Sequence, residues 1–438
     1  MGADVFIAAR CGGDDQSIKK ATLLIDVSQA VILCGGRGER LLPLTDDLPK
    51  PMVIVNGRPF LHYLLEQLAD NQIKKFLLLT GYLGEKIVEY FSDGSKWGWS
   101  IRYSHGPIDW LTAKRVYEAV DVIDEQFLLL YSDNFAQLRL KELVKLNIDS
   151  ESAMTLSVAE KSPGNVELGL NNLVIKYDSR RSDGSSDFVE VGYSLVVKSK
   201  IMANLEAHKS ENFSSVIQSL VEARKVSAVI VKTGYESISD PQRLMKTEAY
   251  LKHHKILLLD RDGTLNVKPR RGEYVNSVDE FKWIESSRDA LKILAQNGFN
   301  FIIISNQAGV STGTTKIEDL NEINDHIRTV FLSLGLTLLD IYVCTDHWNS
   351  ESEFRKPNPG MFFAAANDHK FRLDRTIYVG DDERDALASR NAGCECVLVS
   401  SEESHDKLEA SVTSVRRSLL DLVPTIIKRY ETWEKSNL

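Results

Sequence analysis

The sequence predicts an α/β protein of two domains in series, and three observations predict it. From Val31 to Asp133 short apolar runs alternate with amphipathic helical stretches, the pattern of a parallel sheet covered on both faces. The same alternation begins afresh at Lys255. The chain also has 438 residues, more than one hydrophobic core ordinarily organises, so two or three domains are expected.

Taken in order, residues 1–28 show no sustained period and read as an N-terminal extension. "AVILC" is a buried strand, "FLHYLLEQLADN" an amphipathic helix, "KFLLLT" a strand, "GEKIVEYF" a short helix and "FLLLYSD" at 127–133 a further strand. From about 170 to 200 the alternation in "NLVIKYDS" and "FVEVGYSLVVK" suits antiparallel strands, with "SRRSDGSSD" as a loose loop. "PQRLMKTEAYLKHHK" reads as a helical connector. The second series offers five strands, "KILLL", "FIIIS", "DIYVC", "TIYVG" and "CVLV". A helix between them places Ile317, Leu320, Ile323, Ile327, Val330, Phe331 and Leu334 on one face. The expected domains are 29–250 and 251–438.

Composition narrows the function. Hydrophobic content of 43% and charged content of 26% are those of a globular protein. A formal net charge of −9 argues against a general nucleic-acid binder, although single basic loops can still hold small phosphates. No apolar stretch approaches the roughly 20 residues that span a bilayer, and the N-terminus lacks the order of a signal peptide. Five scattered cysteines make no disulfide framework. The expectation is a cytoplasmic protein with no nucleic-acid or membrane partner; self-association stays open.

The strongest chemistry lies in "ILLLDRDGTLN", residues 256–266. A carboxylate at the carboxyl end of a parallel strand faces the crevice where α/β folds bind ligands. Asp260 and Asp262 lie two positions apart, on one side of an extended chain, and can converge on one cation or phosphate. One can attack phosphorus while the other handles the leaving-group proton, provided Mg²⁺ neutralises the charge. A calcium loop would need further acids, where the chain has Thr264, Asn266 and Arg271. Later strand ends add to the pair. "FIIISNQ" supplies Ser305 and Asn306, "FRKPNPG" supplies Arg355 and Lys356, and "IYVGDDERD" supplies Asp381 and Asp382. A hydroxyl, fixed cations and a second acidic pair are the parts that phosphoryl transfer uses.

This constellation resembles the haloacid dehalogenase superfamily of phosphatases. The run from "DRDGTLN" through "RKPNPGMF" to "VGDDERDALASRNAG" looks like its D-glycero-D-manno-heptose 1,7-bisphosphate phosphatase branch. The resemblance implies an HAD-like Rossmannoid fold with Asp260 as phosphorylated nucleophile and Asp262 as general acid/base. Ser305 and Lys356 would be catalytic phosphate binders, and Asn306 and Arg355 substrate binders. Mg²⁺ would be held by Asp260, Asp381 and the backbone of Asp262. The gaps Asp262 to Ser305 and Ser305 to Lys356 leave no room for a large cap domain. Members of the branch commonly carry a zinc loop. Here "CTDHWNSESEFRKP" keeps Cys344 and His347 but has Ser352 and Phe354 near the later cysteine positions, so two ligands remain where four are needed.

"LCGGRGERLLPLTDDLPKPM" follows the first strand. Gly35, Gly36 and Gly38 let backbone N–H groups approach a phosphate, and Arg40 and Lys50 add positive charge. It is neither a Walker loop nor a dinucleotide fingerprint. The stretch resembles the signature of sugar-1-phosphate nucleotidyltransferases, of the heptose-1-phosphate guanylyltransferase kind. This implies a Rossmann-like (GT-A-like) fold, a nucleoside triphosphate on the loop and Asp133 as a magnesium ligand. The departures are specific. "LTAKR" has Leu111 for a glycine, Ser237 stands for the second metal aspartate with Asp240 three residues on, Ser179-Arg180 replace a sugar-binding Glu-Lys, and Glu190 replaces an asparagine. Two expectations follow from the resemblances. Either both halves act in sequence, heptose 1,7-bisphosphate to heptose 1-phosphate to nucleotide-activated heptose for surface polysaccharide, or a working phosphatase carries a nucleotidyltransferase-like half that only binds or regulates.

Overall fold

The computed structural model describes residues 27–182, 184–270, 272–400 and 412–435. The extension expected at 1–28 therefore lies, apart from Val27 and Ser28, outside the described residues.

Among the described residues the strands of the N-terminal half form a nine-stranded sheet. Its parallel centre runs β4 (Gln126–Tyr131), β1 (Gln29–Cys34), β2 (Lys75–Thr80), β3 (Ser100–His105). Beside β4 the sheet turns antiparallel through β9 (Phe188–Val197), which also pairs with β6 (Met154–Glu160) and touches β7 (Val166–Leu168). Both stretches expected to be antiparallel are so: β8 (Val174–Tyr177) pairs antiparallel with β7, and β9 with β4 and β6. Strand β10 (Val226–Ile230) lies parallel to β6. A separate ribbon joins β5 (Asn134–Ala136) to β11 (Tyr235–Ser237). The run β1 is apolar throughout because both faces are covered: Ile32 and Cys34 enter one core, Val31 and Leu33 the other. Helices α1 (Phe60–Asp70), α2 (Gly84–Phe91), α3 (Thr112–Glu118), α4 (Leu140–Asp149), α5 (Lys198–Ala207) and α6 (Phe213–Glu222) complete the layers, and α7 (Pro241–Leu251) leads into the second half.

The second sheet is parallel throughout, in the order β14 (Leu338–Cys344), β13 (Asn300–Asn306), β12 (Ile256–Leu259), β15 (Ile377–Gly380), β16 (Glu395–Val399), β17 (Val412–Arg416). Leu257 and Leu259 face one core, Ile256 and Leu258 the other. Helices α8 (Glu285–Gln296), α9 (Ile317–Ser333), α10 (Gly360–His369), α11 (Glu383–Ala392) and α12 (Leu419–Lys435) flank it. The buried stripe of α9 is Leu320, Ile323, Ile327 and Phe331. Ile317, expected on that stripe, is 44% exposed because it opens the helix. In each sheet the first strand, β1 or β12, is central and the chain winds outward on both sides of it, which opens a crevice at its carboxyl end.

The halves touch through charge. Arg375 reaches Glu66 at 3.2 Å and Asp70 at 2.5 Å, and Glu66 is also held by Arg58 at 2.8 Å. Burial alone would raise the Glu66 carboxyl, but the two guanidinium groups outweigh it and hold it at about 2. No helix among the described residues is long and apolar enough to cross a membrane.

Candidate functional sites

At the carboxyl end of β12 the backbone N–H of Asp260 donates to Val379 O on β15, fixing the start of the loop (2.8 Å). Gly263 then turns with φ +92°, and a Cβ there would lie 2.0 Å from Asp381 Oδ2. Glycine thus permits both the turn and the approach of the second acid. Asp260, Asp262, Ser305, Asn306, Arg355, Lys356 and Asp381 all line one cavity of about 660 Å³.

Lys356 is the electrostatic centre of that cavity. Its ammonium lies 2.7 Å from Asp260 Oδ1, 2.7 Å from Asp385 Oδ1, 2.6 Å from Tyr378 Oη and 3.1 Å from Ile304 O. Burial works against its charge, but the two carboxylates outweigh burial and hold its pKa above the ordinary lysine value. Oxygens of Asp260, Asp381 and Asp385 lie within 4.8 Å of one another. Burial, then the crowding by Asp385 and Asp381, pushes the Asp260 carboxyl up against the pull of Lys356. Asp381 rises to about 6, burial leading, even though Lys268 stands 2.7 Å from it. An oxygen-only set of three crowded acids fits a hard divalent cation.

Two expectations change here. Asp382, paired with Asp381 in the sequence reading, lies outside the acid cluster: it caps α11, accepting from Arg384 N, and pairs with Arg384 at 2.6 Å. Asp385 joins the cluster instead, and its Oδ2 also accepts from the backbone N–H groups of Asp381 and Asp382. Asn306 lines the cavity, yet both ends of its amide are committed to the backbone of Lys356 at 3.0 Å, so it orients the lysine. The Asp262 carboxylate stands apart from the three acids, held by Arg261, by Asn266 at 2.9 Å and by Gln307 at 2.6 Å. Burial would raise it, but these donors prevail and lower its pKa. Gln307 also donates to Ser305 Oγ at 2.9 Å. Arg355, half-buried at the rim, donates to Asp346 O at 3.2 Å. Asp385, Tyr378, Gln307 and Lys268 escaped the sequence reading; only Asp385 carries a local signal, the N-cap and N3 spacing of a capping box with Asp382.

Among the described residues, Cys344 and His347 belong to no cluster of metal-ligating side chains. Ser352 Oγ stands 3.9 Å from the Cys344 thiol, while His347 Nδ1 accepts from Asn349 N in a turn.

The second crevice, about 570 Å³, opens at the end of β1 and is lined by Gly35, Gly36, Gly38, Arg40, Lys50, Leu111, Arg115 and Asp133 among others. Lys50 and Asp133 meet there at 2.5 Å. All three glycines line the crevice as expected, each with different surroundings. Only Gly36 faces open space. A Cβ on Gly35 would sit 2.4 Å from the Arg115 guanidinium, and Gly38 takes φ +70° against the Lys50 side chain. Arg115 is the last residue of "LTAKR", buried, donating to Thr80 O, Gly106 O and Pro107 O. It is a cation without a local sequence signal, because its partners are carbonyls at the end of β2 and in the loop after β3.

The expected second aspartate is absent from this crevice. Ser237 is buried opposite Asn134, and Asp240 does not line the cavity; it caps α7 by accepting from Arg243 N at 3.0 Å. Two carboxylates line the crevice, Asp133 already paired with Lys50 and Glu39 beside Arg40 on the glycine loop. Ser179 and Arg180 are exposed, and Glu190 is held by Tyr177 at 2.7 Å, its carboxyl pushed up by burial.

The molecule is an α/β protein with two crevices of different charge, each at the carboxyl end of a central strand. The sequence matches the family described as Nucleotidyl transferase over residues 29–235 and that described as Polynucleotide kinase 3 phosphatase over 255–406. It is 32% identical to a "Probable glucose-1-phosphate cytidylyltransferase" of Bacillus subtilis, covering 40% of this chain and 76% of that one. It is 30% identical to a D-glycero-alpha-D-manno-heptose-1,7-bisphosphate 7-phosphatase of Burkholderia mallei, covering 39% of this chain and 93% of that one. Among solved structures, a D,D-heptose 1.7-bisphosphate phosphatase from B. bronchiseptica complexed with magnesium and phosphate aligns at 27% identity and TM-score 0.37, over 40% of this chain and 98% of that one. The chain belongs to the nucleotidyltransferase family in its N-terminal half and to the HAD-like, heptose-bisphosphate phosphatase-like family in its C-terminal half.

Proposed function

We propose that the chain is a bifunctional enzyme of nucleotide-activated heptose synthesis. Residues 251–438 remove one phosphate from a sugar bisphosphate, D-glycero-D-manno-heptose 1,7-bisphosphate being the favoured substrate. Residues 29–250 then transfer a nucleotidyl group from a nucleoside triphosphate to the sugar 1-phosphate. The observation that carries the reading is the convergence of four separate loops, led by Asp260, Ser305, Lys356 and Asp381, on one cavity.

Lys356 takes one oxygen of Asp260 and leaves the other for in-line attack on phosphorus. Ser305 and Lys356 hold the phosphoryl oxygens. Asp260, Asp381 and Asp385, with the Asp262 carbonyl, would bind Mg²⁺, which would neutralise the gathered negative charge. Asp262 gives its proton to the leaving sugar oxygen and recovers one from the water that hydrolyses the aspartyl phosphate. Its donors Arg261, Asn266 and Gln307 favour the ionised form and so favour the second of these steps. In the other half, Gly36, Arg40, Lys50 and Arg115 supply the positive field for a triphosphate. The cytoplasm is the proposed compartment, in keeping with four buried free thiols among the described residues.

Ser237 and the capping of α7 by Asp240 favour a second reading, in which the N-terminal half binds nucleotide or sugar phosphate without turnover. Incubation of the full chain with heptose 1,7-bisphosphate, nucleoside triphosphates and Mg²⁺ separates the two. Phosphate with pyrophosphate supports the first, phosphate alone the second, and neither product sinks both.

A further inference from the structure

Helix α11 carries the phosphatase acids at its N-terminus and ends against the other half of the molecule. Its ten residues span about 15 Å. Like any helix it leaves its last carbonyls without intrahelical partners. Gly393, with φ +80°, closes a Schellman-type turn in which Gly393 N and Cys394 N satisfy Ser389 O and Arg390 O. The next three carbonyls are met from the N-terminal half. Arg139 Nη2 donates to Asn391 O at 2.5 Å, and Gln137 Nε2 donates to Ala392 O at 3.0 Å and Gly393 O at 3.3 Å. The fit leaves no slack, since a Cβ on Gly393 would sit 2.4 Å from Gln137 Nε2. The Arg139 charge, shared with Glu142 on α4, also faces the negative end of the helix dipole.

Both ends of the helix lead to the phosphatase cavity. At the N-terminus Asp385 holds the 381–382 backbone and the Lys356 ammonium. At the C-terminus the Asn391 side chain donates to Pro357 O, beside Lys356, at 3.0 Å. On the other side, Gln137 follows β5, which itself begins immediately after Asp133. We propose that Gln137 and Arg139 are positioning residues of the phosphatase, supplied by the nucleotidyltransferase half and acting through α11 on Asp381, Asp385 and Lys356. This rests on the phosphatase reading of that cavity.

The test uses the full chain with Gln137→Ala, Arg139→Ala and Arg139→Lys. It measures phosphate release from the sugar bisphosphate, magnesium binding by calorimetry and amide exchange along α11. The expected result is a kcat lowered roughly tenfold and a magnesium affinity weakened roughly tenfold in the alanine variants. KM for the sugar should change little, exchange in the first turn of α11 should accelerate relative to α8, and Arg139→Lys should recover part of the loss. Unchanged magnesium affinity and exchange would overturn the proposal, as would a lowered melting temperature with intact kcat. If the unaltered chain releases no phosphate, the phosphatase reading fails, and magnesium binding and exchange alone then decide whether α11 transmits the contact.

Discussion

The crevices at β12 and β1 occupy the same architectural position and carry opposite charge inventories. The first gathers Asp260, Asp381 and Asp385 around Lys356, with Lys268 at the rim. The second sets Arg37, Arg40, Lys50 and Arg115 against Glu39 and Asp133. The comparison teaches that the fold supplies the location, the open end of a central parallel strand, while the balance of acids and cations decides the chemistry. An acid-rich site can hold a divalent cation and use it to accept phosphate. A cation-rich site can hold polyphosphate directly, with fewer carboxylates left to share a metal with the ligand.

Four experiments would break or sharpen this contrast. The largest effect is expected from Asp260→Asn, which removes the carboxylate proposed to attack phosphorus. Phosphate release should fall at least ~1000-fold while pyrophosphate formation from supplied sugar 1-phosphate persists; loss of both in a folded protein would mean the sites are not separate. Next, Lys50→Met removes the cation on Asp133, and pyrophosphate release should fall roughly 100-fold with phosphate release intact, as read by parallel assays. Ser237→Asp offers the missing acid beside the β5–β11 ribbon. The magnesium concentration for half-maximal pyrophosphate release should fall about tenfold, and no change would show that Asp133 works without a second carboxylate. Smallest in its effect on either reaction is Glu66→Gln, which acts on stability. The folded pKa of about 2 lies below the unfolded value of 4.5, so this contribution is complete above pH 4.5 and lost as pH falls toward 2. The variant should be less stable by roughly 2–3 kcal/mol at neutral pH, the gap to the unaltered protein closing in acid, as followed by denaturant titration at several pH values.

Much of this was legible in advance, for reasons that particular residues make plain. The strands at "ILLL" and "KFLLLT" declare themselves because burial on both faces demands unbroken apolar runs. Asp260, Ser305 and Asp381 sit at strand ends and Lys356 in the loop that follows β14, so the order of strands brings them together. What escaped depends on contacts rather than on local pattern. Asp385 looks like one more acid at a helix start, and its place in the cluster is fixed by the Lys356 ammonium. Tyr378 reads as a core residue and becomes a site residue only through its hydroxyl. Gly35 carries the same letter as Gly36, yet one makes room for Arg115 and the other faces open space. Gln137 has no local signal at all, since its partners lie more than two hundred positions downstream.

The Arg375–Glu66 contact has a consequence for how such a molecule can be taken apart. Severed after α7, the N-terminal piece would keep Glu66 with one guanidinium instead of two, and the C-terminal piece would expose Arg375 stripped of both carboxylates. Neither fragment inherits a finished surface. Each half on its own would need new partners at this seam, Arg375 for its charge and Glu66 for its second guanidinium.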